Sequence, residues 1–320
     1  MSDEPLAPSR RDARRLTARE IFAEDLALDA ESAGHVVSRL RPGVVSPNKV
    51  TITGQDGRLF VADGASRWEQ QFRGDLKIPD AWFESWTRVL GARATIAAAL
   101  GVTLWNLVIP EKQAVLPEMR WPAGDVSGAE RPLMQLIPRL GPEVNLLYAA
   151  DALIARKHDL AVFFRHNSHW TATGCCLAME ALAERLGLQV DWDDIRFSYR
   201  VRDVAHDLTV HLFDPAPEEA VGLLEAREAP FFASAGPEPG RNTGASFGLR
   251  NPDAPDPRRV MIFGDSYAHD MGVAFALGEL FAEVIMVWSK SIDWAQVQAR
   301  EAQVVVWESA ERFLATVAES

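Results

Sequence analysis

Apolar and polar positions are most strongly patterned between Val260 and Trp288. Val260-Met261-Ile262-Phe263 is an unbroken apolar run, the pattern of a strand buried on both faces. Gly264-Asp265-Ser266-Tyr267 follows, and then Met271, Ala274, Phe275, Leu277, Leu280 and Phe281 recur at roughly helical spacing. A second apolar run, Val284 to Trp288, closes the stretch. The pattern predicts strand, tight turn, helix, strand: a βαβ unit with a right-handed crossover. Ser266 then stands at the carboxyl end of a strand and the amino end of a helix. Unpaired N–H groups and the positive helix end gather at such a place. A serine there can be a nucleophile with its oxyanion site beside it, or simply a helix cap.

Elsewhere the pattern predicts further α/β units. Thr17 to about Leu40 reads as a helix with Thr17 as its N-cap. Val50 to Thr53 and Arg58 to Val61 read as a hairpin around Asp56-Gly57. Pro79 to Leu100 reads as a long helix with Trp82, Trp86, Leu90, Ala94 and Ala97 on one face and Gly101 closing it. Leu104 to Ile109 is an apolar strand ending in Pro110-Glu111-Lys112. Residues 117–142 are proline-rich and read as an irregular excursion over a site, and Asn145 to Lys157 as a helix. Leu160 to Phe164 reads as a strand, followed by Arg165-His166-Asn167-Ser168-His169-Trp170 and a helix from Thr171 to Leu186. Two or three strands are expected between Val190 and Leu212, including Ile195 to Val201 and Leu208 to Leu212. Phe213 to Arg259 reads as a long loop or lid, in which Arg241, Asn242 and Thr243 could meet substrate or merely face solvent. Val304 to Trp307 is a third buried strand, followed by Glu308 and a helix from Ala310 to Ala318.

Composition narrows the function classes. The chain has 320 residues, 48% of them hydrophobic and 24% charged, an ordinary balance for a large core. A net charge of −12 argues against a general nucleic-acid binder. No apolar run approaches the roughly 20 residues of a membrane span. Arg10, Arg11, Arg14 and Arg15 lie in a polar start with no apolar run behind them, so no secretory signal is expected and the location predicted is cytoplasmic. Residues 1–16 read as a mobile basic arm and 17–320 as a single domain. Cys175 and Cys176 lie in a helical pattern and are expected buried and reduced. No cysteine spacing suits a metal, and no Walker A or dinucleotide fingerprint appears, so no cofactor is called for.

Two strand ends thus carry chemistry: His169 after one and Ser266 after another. Sites in open α/β sheets form outside the carboxyl ends of strands, and a His within reach of a Ser supplies its general base. His166 is the rival on the same turn. Lys290, after Trp288, either faces the cleft or is a solvated strand-end lysine, and Glu308 has the same two readings. Trp170 is expected to pack rather than to stack on substrate.

Asn167-Ser168-His169-Trp170-Thr171, Pro110-Glu111-Lys112, Gly264-Asp265-Ser266-Tyr267 and Trp307-Glu308-Ser309-Ala310-Glu311-Arg312 together carry a resemblance. They resemble the SGNH-hydrolase-like domain of the alginate O-acetylation proteins, the AlgX and AlgJ type, over roughly residues 50–315. That family has a Pro-Glu-Lys element, an Asp-x-His-Trp motif, a later Gly-Asp-Ser motif and a Glu-Arg element. The resemblance implies an α/β, flavodoxin-like parallel sheet with flanking helices and β or loop insertions. It implies a Ser-His-Asp O-acetyltransferase acting on a polysaccharide, with a membrane-bound O-acyltransferase partner as acyl source. Better-known members work outside the cytoplasm, often in the periplasm. Carried over, Ser266 is the nucleophile and His169 the base. By their placement alone, Gly264, Asp265, Tyr267, Lys290 and Asn242 are the candidate oxyanion or substrate contacts. Asn167 occupies the family's Asp position, which removes the carboxylate that orients and neutralises the imidazole. Three readings stay open: an acetyltransferase, an esterase with water as acceptor, and a non-catalytic glycan- or protein-binding member. A carboxylate from elsewhere, Asp203 or Asp207, would favour the enzyme.

Overall fold

In the computed structural model the described residues are 12–64, 66–122, 128, 130–238 and 242–316. In chain order the strands are β1 Arg14–Thr17, β2 Thr51–Thr53, β3 Leu59–Val61, β4 Thr103–Ile109, β5 Leu146–Tyr148, β6 Arg196–Ala205, β7 Glu218–Glu225, β8 Phe232–Ser234, β9 Ser246–Arg250, β10 Asp256–Gly264, β11 Phe281–Trp288 and β12 Val304–Ala310. The main sheet has the order β5-β4-β12-β10-β11-β9-β8. The pairs from β5 through β11 are parallel, while β9 and β8 add an antiparallel edge. The architecture is thus α/β with a mostly parallel sheet, as the pattern predicted.

Successive side chains on a strand point to opposite faces. Val260, Ile262, Val284, Met286, Val304 and Val306 enter one apolar layer, under the helices Ala172–Arg185 and Val273–Leu280. Met261, Phe263, Ile285, Val287, Val305 and Trp307 enter the other, under the helix Asp80–Leu100. Covering both faces is why these strands carry unbroken apolar runs. Because β4, β12, β10 and β11 are parallel, their carboxyl ends lie along one edge of the sheet. Glu111, Arg312, Ser266 and Lys290 all follow those ends closely in sequence.

A second sheet, β1-β6-β7, is antiparallel. It changes several expectations. Arg14 to Leu16 are paired with β6 rather than free, so the expected arm does not reach residue 16; residues 1–11 lie outside the described residues. Arg15 also bonds Glu279. The span Val190–Leu212 yields one long strand, and Thr209–His211 is a 3-10 turn, not a strand. Phe213 to Arg259 is not a long loop: it contains β7, β8, β9 and the start of β10. Most of its described Pro and Gly residues mark the connections between strands, while Gly222, Gly248 and Pro257 lie within them.

Three further expectations are corrected. The first helix stops at Ala33, not near Leu40, and Thr17 caps it in a capping box with Glu20. Asn145–Lys157 holds the edge strand β5 and then the short helix Ala150–Ile154; the Asn145 side chain and carbonyl bond β4 and fix the edge. After β12 the chain forms a 3-10 turn, Glu311–Ala315, rather than a long helix.

Candidate active site

Ser266 is the first residue of the helical turn Ser266–His269 after β10. The cap of that turn is Asp265, not Ser266: its Oδ1 accepts the Tyr267 N–H at 3.0 Å. Its Oδ2 accepts the Ala310 N–H at 2.9 Å, tying the turn to the end of β12. The Asp265 N–H in turn donates to Glu308 Oε2 at 2.9 Å. Burial, and after it the neighbouring Asp265 charge, push Glu308 well above the usual carboxylate range. Gly264 permits this crowding, since a Cβ there would lie 2.5 Å from Glu308 Oε2. With capping assigned to its neighbour, the half-buried Ser266 keeps its hydroxyl free for another partner.

That partner is His169, whose Nε2 lies 2.8 Å from Ser266 Oγ. His169 does not follow a strand of the sheet, as the apolar run Leu160–Phe164 suggested. A short buried run cannot be assigned by periodicity alone. Here it is an extended segment that folds back on the motif, with a bridge between Phe163 and Trp170 and backbone bonds Phe164 N–H to His169 O and Thr171 N–H to Val162 O. Thr171 caps the following helix through Gly174 N–H and donates to Ala161 O, so the loop is pinned at both ends. Trp170 is buried and donates to Met271 O at 2.7 Å, the packing role expected of it. Lys112, fully buried and lowered by that burial, donates to Leu59 O at 2.7 Å and Arg165 O at 3.2 Å, tying the hairpin to the loop.

Asn167 Oδ1 accepts both the Nδ1–H of His169 at 2.7 Å and its backbone N–H at 2.9 Å. Asp207, just past β6, places Oδ2 3.6 Å from the same Nδ1 while accepting from Ser168 N–H and Oγ. Burial raises Asp207, but the His169 ring and the Ser168 bonds more than offset this and hold it below the usual carboxylate range. Asp203, the other carboxylate considered, is exposed on β6. Burial lowers the His169 imidazole more than Asp207 raises it, so the ring is neutral and fit to accept a proton.

His166 points elsewhere: its Nδ1 donates to Glu219 Oε1 at 2.8 Å and its Nε2 meets Ser38 Oγ at 2.9 Å. His206 Nε2 reaches the same carboxylate at 2.6 Å, and its Nδ1 faces Asn167 Nδ2 at 3.0 Å. Among the described residues, His35, His166 and Glu219 are the group whose ligand atoms approach closely enough, within 4.8 Å, to gather round a metal ion.

The other predicted residues divide. The Asp265 and Tyr267 N–H groups are committed to Glu308 and to Asp265, and the Tyr267 hydroxyl is buried on Ser168 O, so neither residue offers an oxyanion donor. Gly264 serves the tight packing described above. The Ser266 N–H, first in its helix, has no intrahelical acceptor. Lys290 and Arg312 share a cavity of about 590 Å³. Arg312 also makes a paired contact with the buried Glu111 at 2.8 and 2.9 Å, and burial pushes that carboxyl up to about 7. Asn242 instead lines a separate cavity of about 1000 Å³ with His269 and Asp270. Arg241 lies outside the described residues. Missed by sequence were His206 and Glu219, brought in by the β6–β7 hairpin. The available signal was Glu219 itself, an acid sharing the strand parity of Val221.

No protein-family model matches the chain, and no curated relative matches it. Solved structures do. The O-acetyltransferase domain of Pseudomonas putida AlgJ matches 84% of this chain and 94% of its own length, at 20% identity and a TM-score of 0.53. Bacillus cereus PatB1 matches 76% of this chain and 93% of its own, at 12% identity and a TM-score of 0.54. A DHHW family protein from Eubacterium siraeum matches 86% and 96%, at 13% identity and a TM-score of 0.55. The chain has the SGNH-hydrolase-like fold of these proteins.

The neutral, buried ring predicts the pH dependence of any chemistry at Ser266. Turnover of an acetyl ester should fall as pH drops through a midpoint below 6.5, the ordinary value, and reach a plateau above it. His169→Gln should abolish the activity, while His166→Gln should keep the same profile. A midpoint above 6.5, or loss of activity only in His166→Gln, would refute the assignment of His169.

Proposed function

We propose that the chain is a serine-dependent O-acyltransferase that moves an acetyl group onto a sugar hydroxyl through an acyl-Ser266 intermediate. The observation that carries this reading is the file Ser266 Oγ, His169 Nε2, His169 Nδ1, Asn167 Oδ1, linked at 2.8 and 2.7 Å at the carboxyl edge of the sheet. The fold shared with an O-acetyltransferase domain supports it. His169 Nε2 takes the Ser266 proton as Oγ attacks the acyl carbonyl, and returns it to the donor's leaving oxygen. In the second half His169 takes the proton of the sugar hydroxyl, that oxygen attacks the acyl carbon, and Ser266 Oγ leaves and regains a proton. The Ser266 N–H is the assigned oxyanion donor, and Arg312, whose charge acts on His169, adds positive potential.

The missing triad carboxylate is divided between two residues in this reading. Asn167 orients the ring through the short bond to Nδ1. Asp207, 3.6 Å from Nδ1 and held ionised, offsets the charge of the imidazolium.

The first test is turnover of a chromogenic acetyl ester with and without oligosaccharide acceptors. Acetylated sugar should form in the parent, and Ser266→Ala should abolish both turnover and labelling by a serine-reactive phosphonate. The cap lies on Asp265, so Ser266→Ala should change folding stability by less than the roughly 1 kcal/mol of a lost cap. Unchanged turnover in Ser266→Ala would end the proposal, and hydrolysis without sugar product would make the protein an esterase.

The division of labour has its own test. Asp207→Asn should lower kcat by about tenfold or more, the cost of an uncompensated charge worth at least about 1.4 kcal/mol. Asn167→Asp should give no gain near neutral pH, because it sets a second carboxylate beside Asp207 and raises their shared protonation range. A large rate increase in Asn167→Asp would show that residue 167 is simply a degraded triad position.

A further inference from the structure

The amide of Asn167 has its own support, buried behind the site. Its Oδ1 receives the backbone N–H of His169, a group that can only donate, so this end of the amide must be oxygen. The nitrogen therefore points at His206 Nδ1, 3.0 Å away, which must accept. The remaining proton of a neutral His206 then sits on Nε2, 2.6 Å from Glu219 Oε1. Glu219 is the right receiver. Burial raises its carboxyl, but the bonds from His166 and His206 more than offset this and hold it ionised, well below the usual range. Asn167, His206 and Glu219 are each more than nine-tenths buried. Each proton in the file has one placement, from Ser266 through His169, Asn167 and His206 to a carboxylate.

We propose that Glu219, acting through His206, is the positioning group that holds and polarises the Asn167 amide so that it stands in for the absent triad carboxylate. The inference rests on the acyl-transfer reading of Ser266 and His169 and adds two residues to it. An isolated amide can turn over and present its nitrogen to the ring, stabilising the wrong tautomer. Here a turn would set N–H against the His169 N–H on one side and oxygen against the His206 lone pair on the other. Hydrogen bonds in series also strengthen one another, so a charge at the far end makes the Asn167 oxygen a better acceptor. Glu219 differs from Asp207 in route: Asp207 acts on the ring through space, Glu219 through two bonded neighbours.

The test uses the full-length protein. Glu219→Gln keeps the shape and an acceptor oxygen but removes the charge. It should lower kcat for acetyl-ester turnover by about tenfold or more with KM unchanged, the scale on which loss of an outer orienting partner acts at metal-bound histidines. It should also move the downfield proton resonance of the His169 Nδ1–H upfield. His206→Phe fits beside Phe164, whose ring lies 5.9 Å from that of His206, and breaks the file. In that background Glu219→Gln should have no further effect. His206→Gln should restore most of the loss, because its amide accepts from Asn167 and donates to Glu219, and it serves as the second variant should His206→Phe not fold. Additive losses in the double variant, or an unmoved His169 resonance in Glu219→Gln, would overturn the proposal. So would a stoichiometric metal ion in the purified protein held by His35, His166 and Glu219, since it would take Glu219 from the file. A parent without ester turnover would defeat the acyl-transfer reading alone, and the His169 resonance would still decide the relay.

Discussion

The site depends on the two oxygens of Asp265. One starts the helix at Tyr267 and the other binds Ala310 at the end of the neighbouring strand. A single carboxylate thus fixes the Ser266 turn in the frame of the sheet and relieves Ser266 of capping. Glu308 accepts the Asp265 N–H, and burial beside the Asp265 charge pushes its carboxyl well above the usual range. At Glu111 and Arg312 a buried pair joins the ends of β4 and β12. Cutting either partner would leave a buried charge unpaired, a larger loss than the pair itself contributes.

In the proposed reaction the imidazole of His169 is the mobile proton site in a neighbourhood of fixed charges. Its burial keeps it neutral, and its two nitrogens are separately committed, one to Ser266 and one to Asn167. A neutral orienting group with a carboxylate 3.6 Å away is a softer arrangement than a bonded Asp. It lowers the cost of the resting neutral ring while still opposing the charge that forms on proton transfer. The His206–Glu219 pair makes that arrangement rigid.

Sequence made one half of this visible. The Ser266 turn, the Thr17 cap, the helix start at Thr171 and the long helix closed by Gly101 are local signals, each decided within a few residues. The closeness of His169 to Ser266 was legible through the motifs, whereas the strand expected before His169 is not there. The other half is non-local. His206, Asp207 and Glu219 arrive on an antiparallel hairpin whose return strand lies in a stretch that Pro and Gly made look like a loop. Asp207 stood out only as one of two acids, with Asp203, between the expected strands, and nothing in the local pattern of Glu219 names its partner. Phe163 misled for the opposite reason, since a four-residue apolar run looks the same in a sheet and in a buried loop.

The central claim is that Ser266 is acylated, and the most direct measurement is rapid acid quench with an acetyl ester followed by intact mass and peptide mapping. One added acetyl group per chain should accumulate in the parent, on the peptide carrying Ser266, and be lost on addition of an acceptor sugar. An acetyl group found on another residue, or none at all while product forms, would contradict it.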